Sequence, residues 1–186
     1  MTHTTDTAGS LLGRTITLRL DRPTYEALRA HLLQDRRTEQ FTFALMRHAK
    51  AGDGTVLIVR DLILPDRTDL AQQGGGGVAP TQQYQSTVYW LAHEQRMSIL
   101  DLHTHTSASR PHFSAIDDRE AAANAQYICD KFDSPTTHAM VVFNRNLDAF
   151  DAVVFDRSLG AFRQVDAIEV LGRTIAILPN SGDEKQ

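Results

Sequence analysis

Two histidines one residue apart, His103 and His105, are followed by the carboxylate of Asp117. The histidines end an apolar run over residues 97 to about 104, which predicts a buried strand on which residues i and i+2 face the same side. Residues 117 to about 132 predict a helix that begins at the carboxylate. Two imidazoles and one carboxylate suit Zn²⁺ and leave a fourth coordination position for water. The pattern therefore predicts an open zinc site, which is usually a hydrolytic site.

Hydrolysis of an amide at such a site also needs a proton carrier. One carboxylate close to the metal can take a proton from water and return it to the departing amine. The chain has six glutamates, and Glu39 stands at the mouth of an apolar strand predicted over residues 40–46. A rigid neighbour of this kind could present Glu39 to the metal, so we assign it this role. The alternative is a solvated surface carboxylate.

Ser114 precedes Asp117 by three residues and has two interpretations of equal weight. It could cap the helix by accepting a backbone N–H, or its hydroxyl could donate to the oxyanion that forms during attack on a carbonyl. Asp117 also has a structural explanation, because the helix dipole favours a carboxylate in the first turn. Asp118 could replace Asp117 as a ligand, and His112 could offer a third imidazole. We prefer Asp117, since its three-residue step from Ser114 sets both groups at one side of the helix entrance.

The order of these residue types resembles the signature of the JAMM (MPN+) metalloprotease family, a distant Glu followed by His-x-His, a spacer and Ser-x-x-Asp. The residues that carry the resemblance are Glu39, His103, His105, Ser114 and Asp117. Eight residues separate the second histidine from the serine, one more than is common in the family, and Thr106 stands where the family often has proline. Every ligand type of the family signature is present.

Several expectations follow from the resemblance, which extends over about residues 14–178. It implies that two histidines and Asp117 ligate Zn²⁺, that Glu39 serves the attacking water and that Ser114 steadies the oxyanion. It also implies a single α/β domain of the JAMM/MPN type, with a curved, mostly antiparallel sheet flanked by helices and a more distant similarity to cytidine deaminases. Residues 1–13 and 179–186 are expected to be flexible ends.

Members of this family are zinc isopeptidases or peptidases that act on ubiquitin or ubiquitin-like proteins. The resemblance therefore implies an active enzyme that cleaves after the C-terminal tail of a ubiquitin-like protein, in deconjugation or in precursor processing. By analogy with the bacterial branch, operon-encoded E1-like and E2-like enzymes are expected partners. Two alternatives are a non-catalytic module that binds a ubiquitin-like partner, and a zinc hydrolase of the same fold that acts on small amides.

Composition excludes several other classes of protein. The chain has 186 residues, which suits one domain, and its formal charge of −4 without a basic run makes nucleic acid an unexpected partner. No apolar segment is long enough for a membrane helix, and the first residues lack a secretion signal, so we expect a cytoplasmic protein. The single cysteine excludes an internal disulfide, a cysteine-rich zinc site and the His-x-Glu and Cys-x-x-Cys site of deaminases.

The remaining pattern predicts alternating helices and strands with adjacent antiparallel pairs. Residues 66–86 are polar and contain Gly74-Gly-Gly-Gly77, and we expect a mobile surface loop there. It could be a tolerated insertion, or it could close over the substrate tail. The predicted strands cover residues 14–20, 40–46, 54–65, 97–104, 138–143, 147–156, 166–172 and 174–178, and the predicted helices cover 23–33, 87–96 and 117–132.

Overall fold

The computed structural model describes residues 12–74, 76–132, 136–172 and 176–179. Within these ranges the chain forms eleven strands and three α-helices, in a mixed α/β fold with a curled main sheet. The elements are β1 (Ile16–Asp21), α1 (Arg22–Leu32), β2 (Phe41–Ala51), β3 (Gly54–Ile63), β4 (Leu70–Gly74), β5 (Gly77–Pro80), α2 (Gln82–Glu94), β6 (Ser98–Thr104), α3 (Ala115–Lys131), β7 (His138–Phe143), β8 (Phe150–Asp156), β9 (Ala161–Gln164), β10 (Ala167–Leu171) and β11 (Ala176–Pro179).

Nine strands form the main sheet in the order β11-β10-β1-β3-β2-β6-β7-β8-β9, and β4 and β5 form a separate hairpin. Three neighbouring pairs are parallel, β1 with β10, β1 with β3, and β6 with β7, and the other pairs are antiparallel. The expected mixed α/β fold with a mostly antiparallel sheet is therefore confirmed. The prediction of adjacent antiparallel pairs is also confirmed, in β2 with β3 and in β10 with β11, whereas β9 was not predicted.

Both faces of the main sheet are covered, because alternate residues of its central strands join two different cores. Leu28 and Leu32 of α1 lie in the core on one face. Val88 of α2 and Ile128 of α3 lie in the core on the other face, together with Phe43 of β2. The side chains that point from β6 toward α2 and α3 are consequently held between a sheet and two helices.

Each helix begins at a polar residue that accepts a backbone N–H. Asp21 accepts from the N–H of Thr24 at the start of α1, and Thr81 accepts from that of Tyr84 at the start of α2. Ser114 begins α3 in the same way. Such caps satisfy donors that have no partner inside the helix. Among the described residues, no helix combines the length and apolar character needed to cross a membrane.

The prediction of a mobile loop over residues 66–86 is wrong. The segment forms a single 3₁₀ turn at Arg67–Asp69, then the β4–β5 hairpin, and then the first residues of α2. Helix α2 consequently begins at Gln82, earlier than the predicted residue 87, because Thr81 provides its cap. The composition of the segment concealed the hairpin, since its strands are only five and four residues long and neither contains a buried residue.

The predicted flexible N-terminal end is too long by at least two residues. Leu12 is buried in the core beside α1, and the backbone N–H of Gly13 donates to the hydroxyl of Thr55 at 2.8 Å. At the other end, Pro179 belongs to β11. The rest of both predicted ends, residues 1–11 and 180–186, lies outside the described residues.

Candidate metal centre

Strand β6 directs His103 toward the face that α2 and α3 cover. Its neighbours Leu100 and Leu102 lie in the core of the opposite face, and side chains alternate along a strand. His105 follows two residues later, and the centroids of the two imidazole rings are 5.3 Å apart. The strand thus brings both histidines to one place, as the one-residue spacing predicts.

Asp117 reaches the two histidines from the first turn of α3. Its Oδ1 lies 3.5 Å from Nε2 of His103, and its Oδ2 lies 3.6 Å from Nε2 of His105. One ligand atom from each of the three residues lies within 4.8 Å of the others. This set of two imidazole nitrogens and one carboxylate oxygen is one of the sets that hold zinc in open sites.

A capping box fixes the position of Asp117. The side chain of Ser114 accepts the backbone N–H of Asp117 at 3.2 Å, and Oδ2 of Asp117 accepts the backbone N–H of Ser114 at 2.7 Å. The two residues therefore stabilise the start of α3 and hold the carboxylate beside the imidazoles at the same time. The structural and the functional interpretations of Ser114 and Asp117 are compatible.

The environment of His103 favours the neutral imidazole, which is the form that binds a metal. Burial lowers the pKa of its imidazole to about 4, and the neighbouring Asp117 opposes this shift only in part. Its Nε2 is buried and has no hydrogen-bond partner within the described part of the chain. A buried polar atom without a partner costs stability, and a metal ion would satisfy it.

The pKa of His105 is raised above its ordinary value, and the pKa of Asp117 is lowered below its own. The Asp117 carboxylate raises the pKa of His105 above its ordinary value, although burial acts against this. Burial alone would raise the pKa of Asp117, but the neighbouring His105, the charge of His103 and the Ser114 N–H hold it well below its ordinary value. Without a metal, a proton on His105 therefore faces an ionised carboxylate.

The pairing of β2 with β6 places Glu39 next to the ligands. Phe41 is the register partner of His103 in this antiparallel pair. One residue further, Gln40 accepts the N–H of Thr104 at 2.9 Å through its carbonyl, and its own N–H donates to the Thr104 hydroxyl at 3.0 Å. Continuing the same register by one residue puts Glu39 opposite His105.

The Glu39 side chain is half-buried and in electrostatic contact with the centre. Burial raises the pKa of its carboxyl above its ordinary value, the charge on His105 opposes this, and that on Asp117 adds to it. The Glu39 backbone N–H donates to the carbonyl of Gly74 at 3.1 Å, which ties it to the β4–β5 hairpin. The structure therefore brings Glu39 and the three ligand residues into one cavity.

This cavity has a volume of about 580 Å³. Ser114 and the three candidate ligands line it, together with residues of the β4–β5 hairpin and of α3. The hairpin residues that line it are Gln72, Gly76, Gly77, Val78, Ala79 and Pro80. The sequence predicts a role for this segment only as a loop that could close over the substrate tail.

The two alternative ligands considered from the sequence lie elsewhere. Asp118 is exposed, and it is neither part of the metal-ligand cluster nor among the described residues that line the cavity. His112 is also exposed, and its Nδ1 lies 3.8 Å from Oδ2 of Asp151. Among the described residues, Asp117 is therefore the carboxylate that joins the two histidines.

Sequence reasoning missed Asp101, which also lines the cavity. It is 6% exposed, and its Oδ2 accepts a hydrogen bond from Nε2 of His138 at 2.9 Å. An acidic residue in an apolar strand, two positions before His103, is a signal that could have indicated a side chain on the same face. Its partner on β7 could not be found without the fold.

Comparisons with known proteins do not assign the chain to a family. No protein-family model matches it, and no curated protein matches it. Among solved structures, it is similar to the solution structure of protein DSY2949 from Desulfitobacterium hafniense. The two have 16% sequence identity and a TM-score of 0.43, over 84% of this chain and 94% of that chain. This similarity is too distant to support an inference about function.

Proposed function

We propose that this protein is a zinc-dependent hydrolase of the JAMM type that cleaves after the C-terminal tail of a ubiquitin-like protein. The observation that carries the proposal is the cluster of His103, His105 and Asp117, whose ligand atoms lie within 4.8 Å of one another. Glu39 and Ser114 line the same cavity. This combination supplies metal ligands, a proton carrier and a hydroxyl donor in one place.

The donor atoms fit Zn²⁺. His103 offers a buried, neutral and unsatisfied nitrogen among the described residues, and Asp117 offers an ionised oxygen held by a backbone N–H. Three protein ligands leave one position open, which is typical of catalytic rather than structural zinc sites. When bound, zinc supplies Lewis acidity that polarises a carbonyl and makes water a better nucleophile.

Glu39 acts as the proton carrier in this proposal. Its carboxylate takes a proton from the attacking water and delivers it to the amine that leaves, so that neither a hydroxide nor an amide anion is released. Partial burial suits this role, because it raises the pKa of the carboxyl and makes the carboxylate a stronger base than an exposed one. The tie to Gly74 keeps the main chain of Glu39 in place.

Ser114 acts as the donor to the oxyanion. A hydroxyl has two acceptor positions and one hydrogen to donate. Since the Asp117 N–H occupies only an acceptor position, the hydrogen stays available on a residue that lines the cavity. A donor positioned before the reaction stabilises the charge that develops on the carbonyl oxygen during attack.

The β4–β5 hairpin suits an extended peptide. Within the described residues β5 pairs with β4 alone, so one edge of β5 carries main-chain groups that no strand of the fold uses. Residues Gly77–Pro80 of this strand line the cavity beside Glu39. An extended tail that adds to this edge would gain main-chain hydrogen bonds and reach the centre.

The volume of the cavity favours one second candidate function. About 580 Å³ is within the range of sites that enclose small molecules. A zinc hydrolase of the same fold that acts on small amides would use the same five residues. The two candidates differ in whether the hairpin edge is needed for cleavage.

The proposal is tested by metal analysis and by cleavage of a fusion that carries a ubiquitin-like tail. We expect one zinc per chain and cleavage after the tail. Glu39→Gln should keep the metal and lower kcat by about 10²–10⁴-fold, since general acid–base catalysis contributes that much. His103→Ala should lose the metal. Glu94→Gln and His112→Ala are matched controls, since both residues are exposed and lie outside the cavity lining.

Three outcomes separate the candidates. Cleavage of small amides without cleavage of the fusion would favour the second candidate. Binding of a ubiquitin-like protein without any cleavage would indicate a non-catalytic module. Full cleavage by a metal-free preparation, or by Glu39→Gln, would contradict the proposed mechanism.

A further inference from the structure

The cavity continues beyond the metal ligands to a buried carboxylate. Asp101 lies two residues before His103 on β6, so both side chains point to the same face of the sheet. Its Oδ2 accepts from His138, but its Oδ1 is buried and has no hydrogen-bond partner within the described residues. The residue lines the cavity, so this buried oxygen belongs to a side chain of the cavity wall.

His138 donates a hydrogen bond to only one of the two oxygens of this carboxylate. The imidazole is completely buried, and its Nε2 lies 2.9 Å from Oδ2 of Asp101. A carboxylate can only accept, so the ring donates and fixes the orientation of the free Oδ1. Burying an anion with one of its oxygens unsatisfied costs stability. A cationic ligand that donates to Oδ1 would remove this cost.

The surroundings of Asp101 add negative charge. Of the described residues that line the cavity, four carry carboxylates and none is a lysine or an arginine. A divalent metal would balance the charges of Glu39 and Asp117. Asp101 and Glu120 of α3 then remain as two negative charges without a cation in the lining.

The walls near these two carboxylates suit a cation on an apolar stem. Met140 and Ala121 supply apolar surface. Gln85 and Asn124 supply amide groups, and Nε2 of Gln85 donates to Oδ1 of Asn124 at 2.9 Å. We name this part of the cavity the acidic recess and define it by Asp101, Glu120, Gln85, Asn124, Ala121 and Met140.

We propose that the acidic recess binds an ammonium or guanidinium group of the substrate, located on the amine side of the scissile bond. The side follows from the proposed tail site: since the tail occupies the hairpin edge, the leaving group is left to the cavity-lining residues of β6 and α3. This inference rests on the proposed function, because it names the substrate class of the same site. It predicts a preference for a lysine or arginine close to the bond that is cut.

The first test compares fusions in which the residue after the tail is arginine or citrulline, which have nearly the same shape and differ in charge. We expect kcat/KM to be about tenfold higher or more for arginine, the size of effect that a buried charged hydrogen bond gives. Asp101→Asn and Glu120→Gln should each bring the ratio toward one. Asp118→Asn, at an exposed carboxylate outside the cavity lining, should leave the ratio unchanged.

The second test measures binding without cleavage. Butylguanidinium and its neutral counterpart butylurea are titrated into the purified protein, with zinc and after its removal, and chemical-shift changes are followed by NMR. We expect saturable binding of butylguanidinium alone, and its loss in Glu120→Gln as well as in Asp101→Asn. Glu120 is exposed, so Glu120→Gln is expected to fold. It keeps the test valid if Asp101→Asn, which changes a buried residue, does not fold.

The outcomes distinguish this inference from the proposed function. If no fusion is cleaved but butylguanidinium binds and both variants lose it, the recess is a cation site and the proposed activity is wrong. If arginine and citrulline fusions are cleaved equally, the activity stands and the inference is overturned. Absence of both butylguanidinium binding and an arginine preference also overturns it.

Discussion

At the scale of single residues, His103 and His105 are similar ligands in different environments. His103 is buried where the sheet and helices meet the cavity, and this burial keeps its imidazole neutral. His105 lies beyond the end of β6, is partly exposed, and faces the Asp117 carboxylate. The two histidines thus offer one nitrogen that burial keeps unprotonated and one whose affinity for a proton the Asp117 carboxylate raises, so that a metal must compete with that proton.

This difference predicts the pH dependence of zinc binding. Between the pKa of about 4 of His103 and the pKa of His105, which lies above its ordinary value, His105 is protonated and His103 is neutral. Uptake of the metal in this range should release about one proton. The logarithm of the apparent affinity should therefore rise with pH by about one per unit, and more steeply below the pKa of about 4 of His103. Calorimetric titration in buffers of different ionisation enthalpy measures the proton count. Release of two protons at pH 5.5 would contradict the environments described above.

At the scale of elements, the start of α3 combines a structural and a chemical task, and substitutions of Ser114 can separate them. Ser114→Ala removes the cap and the hydroxyl, and should lower the free energy of unfolding by about 1 kcal/mol. Ser114→Gly removes the hydroxyl but, because glycine is a tolerated cap, should cost only a few tenths of a kcal/mol.

Both substitutions of Ser114 should lower kcat by a similar factor, on the order of 10²-fold, because both remove the donor to the oxyanion. Urea denaturation and steady-state kinetics on the two variants provide the comparison. If kcat follows the loss of stability, falling in the alanine variant but not in the glycine variant, the hydroxyl only caps the helix.

The elements that carry the five candidate residues were predictable because their signals are local. Strand β6 is an apolar run that ends in His-x-His, and α3 begins at a serine followed by carboxylates. The β4–β5 hairpin has no such signal, because its strands are short and lack a clear apolar pattern, and its link to the centre is a hydrogen bond between Glu39 and Gly74. Residues 35 positions apart form this contact, and local pattern does not encode it.

The pairing of Asp101 with His138 was unpredictable for a related reason. It requires β6 and β7 to lie parallel, with Ile99 opposite His138. Parallel neighbours need a crossover, here α3, and the register across it depends on how that helix packs. The sequence shows a charged residue inside an apolar strand, but it does not show which group donates a hydrogen bond to that residue.

At the scale of the whole molecule, the sheet separates two cores, and only one of them adjoins the metal centre. Phe43 of β2 is fully buried on the face of α2 and α3, packs against Tyr84 and Tyr89, and lines the cavity. Phe150 of β8 is equally buried in the core on the other face and does not line the cavity. The two phenylalanines therefore form a matched pair for separating stability from function.

Phe43→Ala and Phe150→Ala should each lower the free energy of unfolding by about 3–5 kcal/mol, because each removes a large buried ring. In conditions where both variants stay folded, only Phe43→Ala should weaken zinc binding and cleavage, since Phe43 lines the cavity and packs against Phe41, the strand partner of His103. Denaturant titration gives the stabilities, and metal affinity with kcat/KM gives the functional effect. An equal functional loss in both variants would mean that the centre depends on global stability rather than on its own face of the sheet.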